Sequence, residues 1–167
     1  MTLWDYAVAL YARPEVEAAC LRLQDGDGQC VSLLLWRLWS VHEGRAVDAR
    51  TLERAVEIAR AWDGAVVAPL REVRRRIAAP SPPIADAARS VLREEVATAE
   101  LAAERVLLDT LDALTAAPSG ASADVLSALR ATGAKWGAPP SEAGLRRLVL
   151  AARPDGPLAQ ARRSVTS

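Results

Sequence analysis

Phenylalanine is absent from this chain of 167 residues, and tyrosine occurs only twice. β-branched residues never cluster. Strand-rich folds draw on both groups to fill a pleated, half-buried surface, so a β-sandwich or barrel is excluded. Histidine occurs once, at His42, which leaves no paired Glu-x-x-His motif for a di-iron bundle. A surface or helix-end position is expected for it. Two cysteines, Cys20 and Cys30, are too few for a disulfide scaffold or a structural zinc site. Their separation spans a predicted loop, so a bridge is conceivable. Reduced thiols in a cytoplasmic protein fit better, with Cys20 as a small core residue. No run approaches 18 apolar residues, and no basic segment followed by an apolar stretch opens the chain. Neither a membrane span nor a signal peptide is expected.

Excess charge of one sign is also missing. Twenty-one basic residues balance 21 acidic ones, so global charge implies no polyanionic partner. The distribution is uneven. Residues 1–129 hold 14 basic and 19 acidic groups, a net of −5, whereas 130–167 hold 7 and 2, a net of +5. Lysine is nearly absent, with 20 arginines to one lysine. No glycine-rich phosphate loop and no serine nucleophile elbow occurs. Asp25-Gly26-Asp27-Gly28 suggests a calcium loop, but Cys30 and Trp36 stand where its glycine and last carboxylate belong.

What the chain has in quantity is alanine (35 residues) and leucine (22), both strong helix formers. Thr2 and Asp5 read as the start of a first helix, with Leu3, Ala7 and Leu10 on one face and Trp4, Val8 and Tyr11 beside them. Pro14 suits the first turn of a second helix with the stripe Val16, Ala19, Cys20 and Leu23. Cys30 to Glu43 is apolar nearly all round, the pattern of a buried central helix. Asp48 caps a helix whose three- and four-residue spacing runs from Leu52 to Ile77. Gly64 and Pro69 predict a kink or break at 64–69. Pro80-Ser81-Pro82-Pro83 reads as a rigid turn. A helix from about Ile84 to Ala116 follows, about 50 Å long, with the stripe Leu92, Val96, Ala99, Ala103, Val106, Leu111 and Leu114. Ser122 and Asp124 open a short helix stopping at Gly133, and Pro139 to Glu142 open another. The reading is an all-α helical bundle over 1–153, its kinked helix and long helix forming an antiparallel hairpin. Residues 154–167 are polar and expected to be disordered.

Arg71, Arg74, Arg75 and Arg76 form the sharpest charged feature, and the first three share a helical face. They pair with Glu72 and the acidic long helix, or fork to phosphate or to carboxylates of a partner. Nucleic acid is disfavoured, because no aromatic interleaving accompanies the cluster. Glu100 and Glu104, one turn apart among Arg89, Arg93 and Arg105, read as a solvated, ion-paired face. Trp4, Trp36, Trp39 and Trp62 fall on inner faces, and Trp136 reads as an exposed anchor in a loop.

The stretch Leu3 to Tyr11, Arg13-Pro14, Ala18 to Leu21, Leu23-Gln24-Asp25, and Val31 to Trp36 with Leu38-Trp39 resembles the opening of a proteobacterial family of unknown function. Pro69-Leu70-Arg71, Arg74-Arg75, Glu100-Leu101 and Ala103-Glu104 continue the likeness, which covers about residues 2–115. The resemblance implies a bacterial cytoplasmic helical protein and assigns no catalytic residue. Ser32 and Trp36 depart from it, since Asn and Phe often stand there.

The functional expectation is a non-enzymatic interaction or adaptor module with no cofactor and no metal, acting on a protein partner or as a homodimer. The alternative is a binder of a small anion, or an enzyme, with a pocket lined by Trp36, Trp39 and Trp62 and held by Arg71 and Arg74.

Overall fold

A computed structural model describes residues 1–80 and 84–153. The turn expected at Pro80–Pro83 lies largely outside these residues, and so does the disorder expected for 154–167. Among the described residues every regular element is helical.

Helix α1 (Leu3–Tyr11) starts at Thr2, whose hydroxyl oxygen accepts from the Asp5 N–H at 3.1 Å. Helix α2 (Pro14–Asp25) places its proline in the first turn, where no backbone bond is lost. Both touch α3 (Val31–His42), and α2 buries the expected Val16, Ala19, Cys20 and Leu23. Helix α3 is the centre of the core: eight of its twelve residues are buried, Trp36 and Trp39 completely. The Trp36 indole N–H donates to the Thr115 hydroxyl at 2.6 Å, and that hydroxyl donates to the Leu111 carbonyl at 2.7 Å. A buried indole needs such a partner, and Thr115 supplies it from the end of the long helix.

Helix α4 (Ala49–Trp62) is capped by Asp48, whose carboxylate accepts from the Thr51 N–H at 2.7 Å. The chain does not break at Gly64 and Pro69. It passes through a π-helical turn at Asp63–Val67 into α5 (Ala68–Ala78), and Pro69 falls in the first turn of α5. Helix α6 (Asp86–Leu114) has 29 residues, about 43 Å, shorter than expected at both ends. Its contacts with α5 run in reverse order: Arg89 to the Ile77 carbonyl, Arg74 to Glu100, Arg71 to Glu104. The two helices are therefore antiparallel.

The inner stripe of α6 keeps Ala103 and Leu111 of the expected one but loses Leu92 and Val106. It consists of Glu100, Ala103, Leu107, Leu108 and Leu111, while Leu92 and Val106 are each 49% exposed. Helix α5 buries no residue fully, so ion pairs rather than packed aliphatics fix how α6 faces it. Those ion pairs turn Glu100 inward.

Helix α7 (Val125–Trp136) runs three residues past the expected stop, and α8 (Glu142–Ala151) packs on α2 and α7. Gly133 lies inside α7 because nothing larger fits. A Cβ there would stand 2.6 and 2.7 Å from Cγ and Cδ of Pro140 and 2.8 Å from Oε1 of the buried Gln29. Gly133→Ala is therefore expected to lower unfolding free energy by about 1–3 kcal/mol in urea titrations. An unchanged midpoint would mean that Pro140 yields freely.

Candidate functional site

The arginine cluster of α5 comes to rest on α6. Arg71 Nε donates to Glu100 at 3.1 Å and its Nη2 to Glu104 at 3.3 Å. Arg74 Nε meets the other Glu100 oxygen at 2.5 Å. Glu100 is buried, so two guanidinium groups share one desolvated carboxylate. Arg75 lies apart and pairs with Asp25 at the end of α2, at 2.5 Å. Arg76 pairs with Glu72 within α5. Each of the three candidate arginines is thus engaged by a carboxylate of this chain. The solvated face expected for Glu100 and Glu104 is corrected. Only neighbouring cations make burial of Glu100 tolerable.

Trp36 and Trp39 are fully buried in the core and have no surface to offer a pocket. The indole of Trp39 donates to the Met1 carbonyl at 3.3 Å. Trp62 is half-buried and donates to the Ala103 carbonyl at 2.8 Å. Of the three rings expected to line a pocket, Trp36 and Trp39 are therefore closed off from solvent. Trp136 closes α7 rather than lying in a loop, and its indole N–H donates to the Gly28 carbonyl at 2.9 Å. It seals a helix–loop junction. His42 ends α3, with Nδ1 2.7 Å from the Tyr6 hydroxyl and the two rings edge to face.

A different cleft is present. The second apolar row of α1, the start of α3 and the middle of α6 enclose about 300 Å³. Its walls are Trp4, Ala7, Val8, Tyr11, Val31, Leu35, Leu101 and Leu108, with Ser32 and Glu104 as polar groups. That is the low end of volumes typical of ligand pockets, and the lining is of the usual apolar kind with few polar groups. Val8 and Leu101 stand 50% and 53% exposed at its edges. The guanidinium of Arg105 lies over the Trp4 ring, 5.0 Å from its centroid. A wider depression over α4 is lined by Arg50, Thr51, Glu53, Arg54, Glu57 and Leu114, so four of its six side chains are charged.

Glu104 joins the cleft to the arginine cluster. Burial pushes its carboxyl above the usual range, Arg71 offsets part of this, and the nearby charge of Glu100 adds to the rise. Asp63, in the π turn, is raised by burial and partly relieved by Arg71. Tyr11 is pushed far up by burial and hydrogen-bonds with the Cys20 thiol. Cys20 and Cys30 are both free and buried. Burial pushes each thiol from its ordinary value near 9 up to about 12. A raised folded value favours the fold below the unfolded pKa and is lost above it. Two results are expected: the folded protein reacts negligibly with a thiol reagent at pH 8, and stability falls as pH rises from about 9 toward 12. Rapid native-state labelling would contradict the packing around both cysteines.

Trp4, Tyr11, Ser32, Leu101 and Glu104 were not singled out as site residues by sequence reasoning. One signal was available. Helix α1 carries two apolar rows, and a helix at the edge of a bundle can turn only one of them into the core.

Residues 2–111 match a family described as "Protein of unknown function (DUF2390)". The chain belongs to the DUF2390 family. The DUF2390 match runs from α1 to Leu111 of α6, so the cleft and the arginine cluster both lie inside it, while α7 and α8 lie beyond. No curated protein and no solved structure matches the chain.

Proposed function

We propose that this DUF2390 chain is a non-enzymatic protein-interaction module that receives apolar side chains of a partner protein in the cleft between α1, α3 and α6. One observation carries the reading: an apolar cleft flanked by two half-exposed aliphatic side chains, Val8 and Leu101. A groove between helices that is apolar within and edged by aliphatic anchors is the usual receptor for a partner's hydrophobic residues. The reduced cysteines and the family resemblance support a bacterial cytoplasmic setting.

The test is site-specific photocrosslinking in cells. A photoreactive amino acid at Val8 or Leu101 is expected to give a discrete adduct with another protein, and one at Arg54 is expected to give none. Identical patterns from all three positions would contradict the reading.

A second reading is favoured by the row of Val91, Leu92 and Val106, which stand about half exposed along α6. Such a row suits a second copy of the chain. Light scattering would then give twice the mass of 17.8 kDa.

A further inference from the structure

We infer that the group entering the cleft is the side chain of a lysine or arginine of the partner, its aliphatic stem against the apolar walls and its cationic head at Glu104. The inference rests on the proposed role of the cleft and goes beyond it by fixing the chemistry of the occupant. Long cationic side chains lay their methylenes along apolar surface and keep the charged end in a polar environment. The cleft offers that combination. Ala7, Val8, Val31, Leu35, Leu101 and Leu108 supply aliphatic wall, and Glu104 is the carboxylate among the lining residues.

Charge around the cleft points the same way. The four-membered cluster of Arg71, Arg74, Glu100 and Glu104 is neutral as a whole. Beyond it, Asp5, Asp109 and Asp112 surround the neighbouring depression beside Trp4, against one cation, Arg105. The surplus is acidic. Arg105 pairs with Asp109 at 3.6 Å and lies over the Trp4 ring, so this aromatic wall already accepts a guanidinium on its face. A carboxylate ligand in the cleft would meet Glu104, and a neutral ligand would make no use of that charge.

The probes are n-butylammonium, which reproduces the lysine side chain, together with n-butanol and butyrate of the same length. Each is titrated into the full-length protein, with the NMR signals of the Val8 and Leu101 methyls and the Trp4 indole as readout. The expected result is saturable shifts, half-complete at a concentration about threefold to fivefold lower for butylammonium than for butanol, with butyrate weakest. In Glu104→Gln the ammonium and the alcohol are expected to become equal, while the butanol shifts persist and show that the cleft is intact. Equal response to ammonium and alcohol in the unaltered protein would overturn the cationic assignment and leave the apolar cleft standing. An ammonium preference that survives Glu104→Gln would overturn the role of Glu104. No shift at these signals with any of the three would overturn the cleft itself.

Discussion

Glu100→Ala is expected to lower the unfolding free energy by roughly 3–5 kcal/mol, the cost of removing one partner from a buried ion pair. Glu100 accepts from both Arg71 and Arg74, and its side chain is only 9% exposed. Alanine leaves two guanidinium groups facing α6 with Glu104 as their remaining neighbour. Arg74 can swing outward, since it is 29% exposed, whereas Arg71 at 15% is more confined. The loss therefore falls toward the lower end of the range. Urea unfolding followed by tryptophan fluorescence reads it directly. The spectra of the folded state should change little, because Trp36 and Trp39 sit in the core contributed by α3. A loss below about 1 kcal/mol would place this pair among solvated surface ion pairs and contradict the way α5 is held on α6.

Trp36→Ala is expected to cost about 3–5 kcal/mol as well, through a cavity rather than a charge. The ring is fully buried in α3. Its removal empties one of the two largest side-chain volumes in the core and leaves Thr115 without its indole donor, although Thr115 keeps its own bond to the Leu111 carbonyl. Trp36→Phe should lose much less, because most of the ring volume remains. The two variants together separate packing from the hydrogen bond. Equal losses would mean that the indole N–H matters more than the cavity.

Much of the architecture was legible because helix signals are local. Caps at Thr2 and Asp48, Pro14 in a first turn, and the stripe of α2 each depend on residues within a turn or two of one another. The facing of α6 was not legible in this way. A row through Leu92 and Val106 is as periodic as the true row through Glu100, Ala103 and Leu107. Only the arginines of α5, about 30 residues away in sequence, turn the carboxylate inward. Gly133 misled for a similar reason: glycine commonly ends a helix, but here it yields space to Pro140 and Gln29 from other elements.

Of the two readings of the arginine cluster, the pairing of Arg71 and Arg74 with the acidic long helix is what the structure contains. The tryptophan pocket was misplaced because periodicity identifies inner faces without telling a core from a cleft. Trp36 and Trp39 point to the centre, and the partly open aromatic wall is Trp4 with Tyr11, on a helix at the edge of the bundle. Trp136 reads as a loop residue in the sequence because Gly133 resembles a helix stop, whereas α7 continues through Trp136.

The most direct measurement is an NMR experiment detecting contacts between n-butanol and the methyl groups of the full-length protein. The cleft between α1, α3 and α6 is expected to give contacts at Val8, Leu101 and Leu108. Contacts at Val73, Val91 or Leu92 on the α5–α6 hairpin instead, with none in the cleft, would contradict the assignment of the cleft as the binding surface.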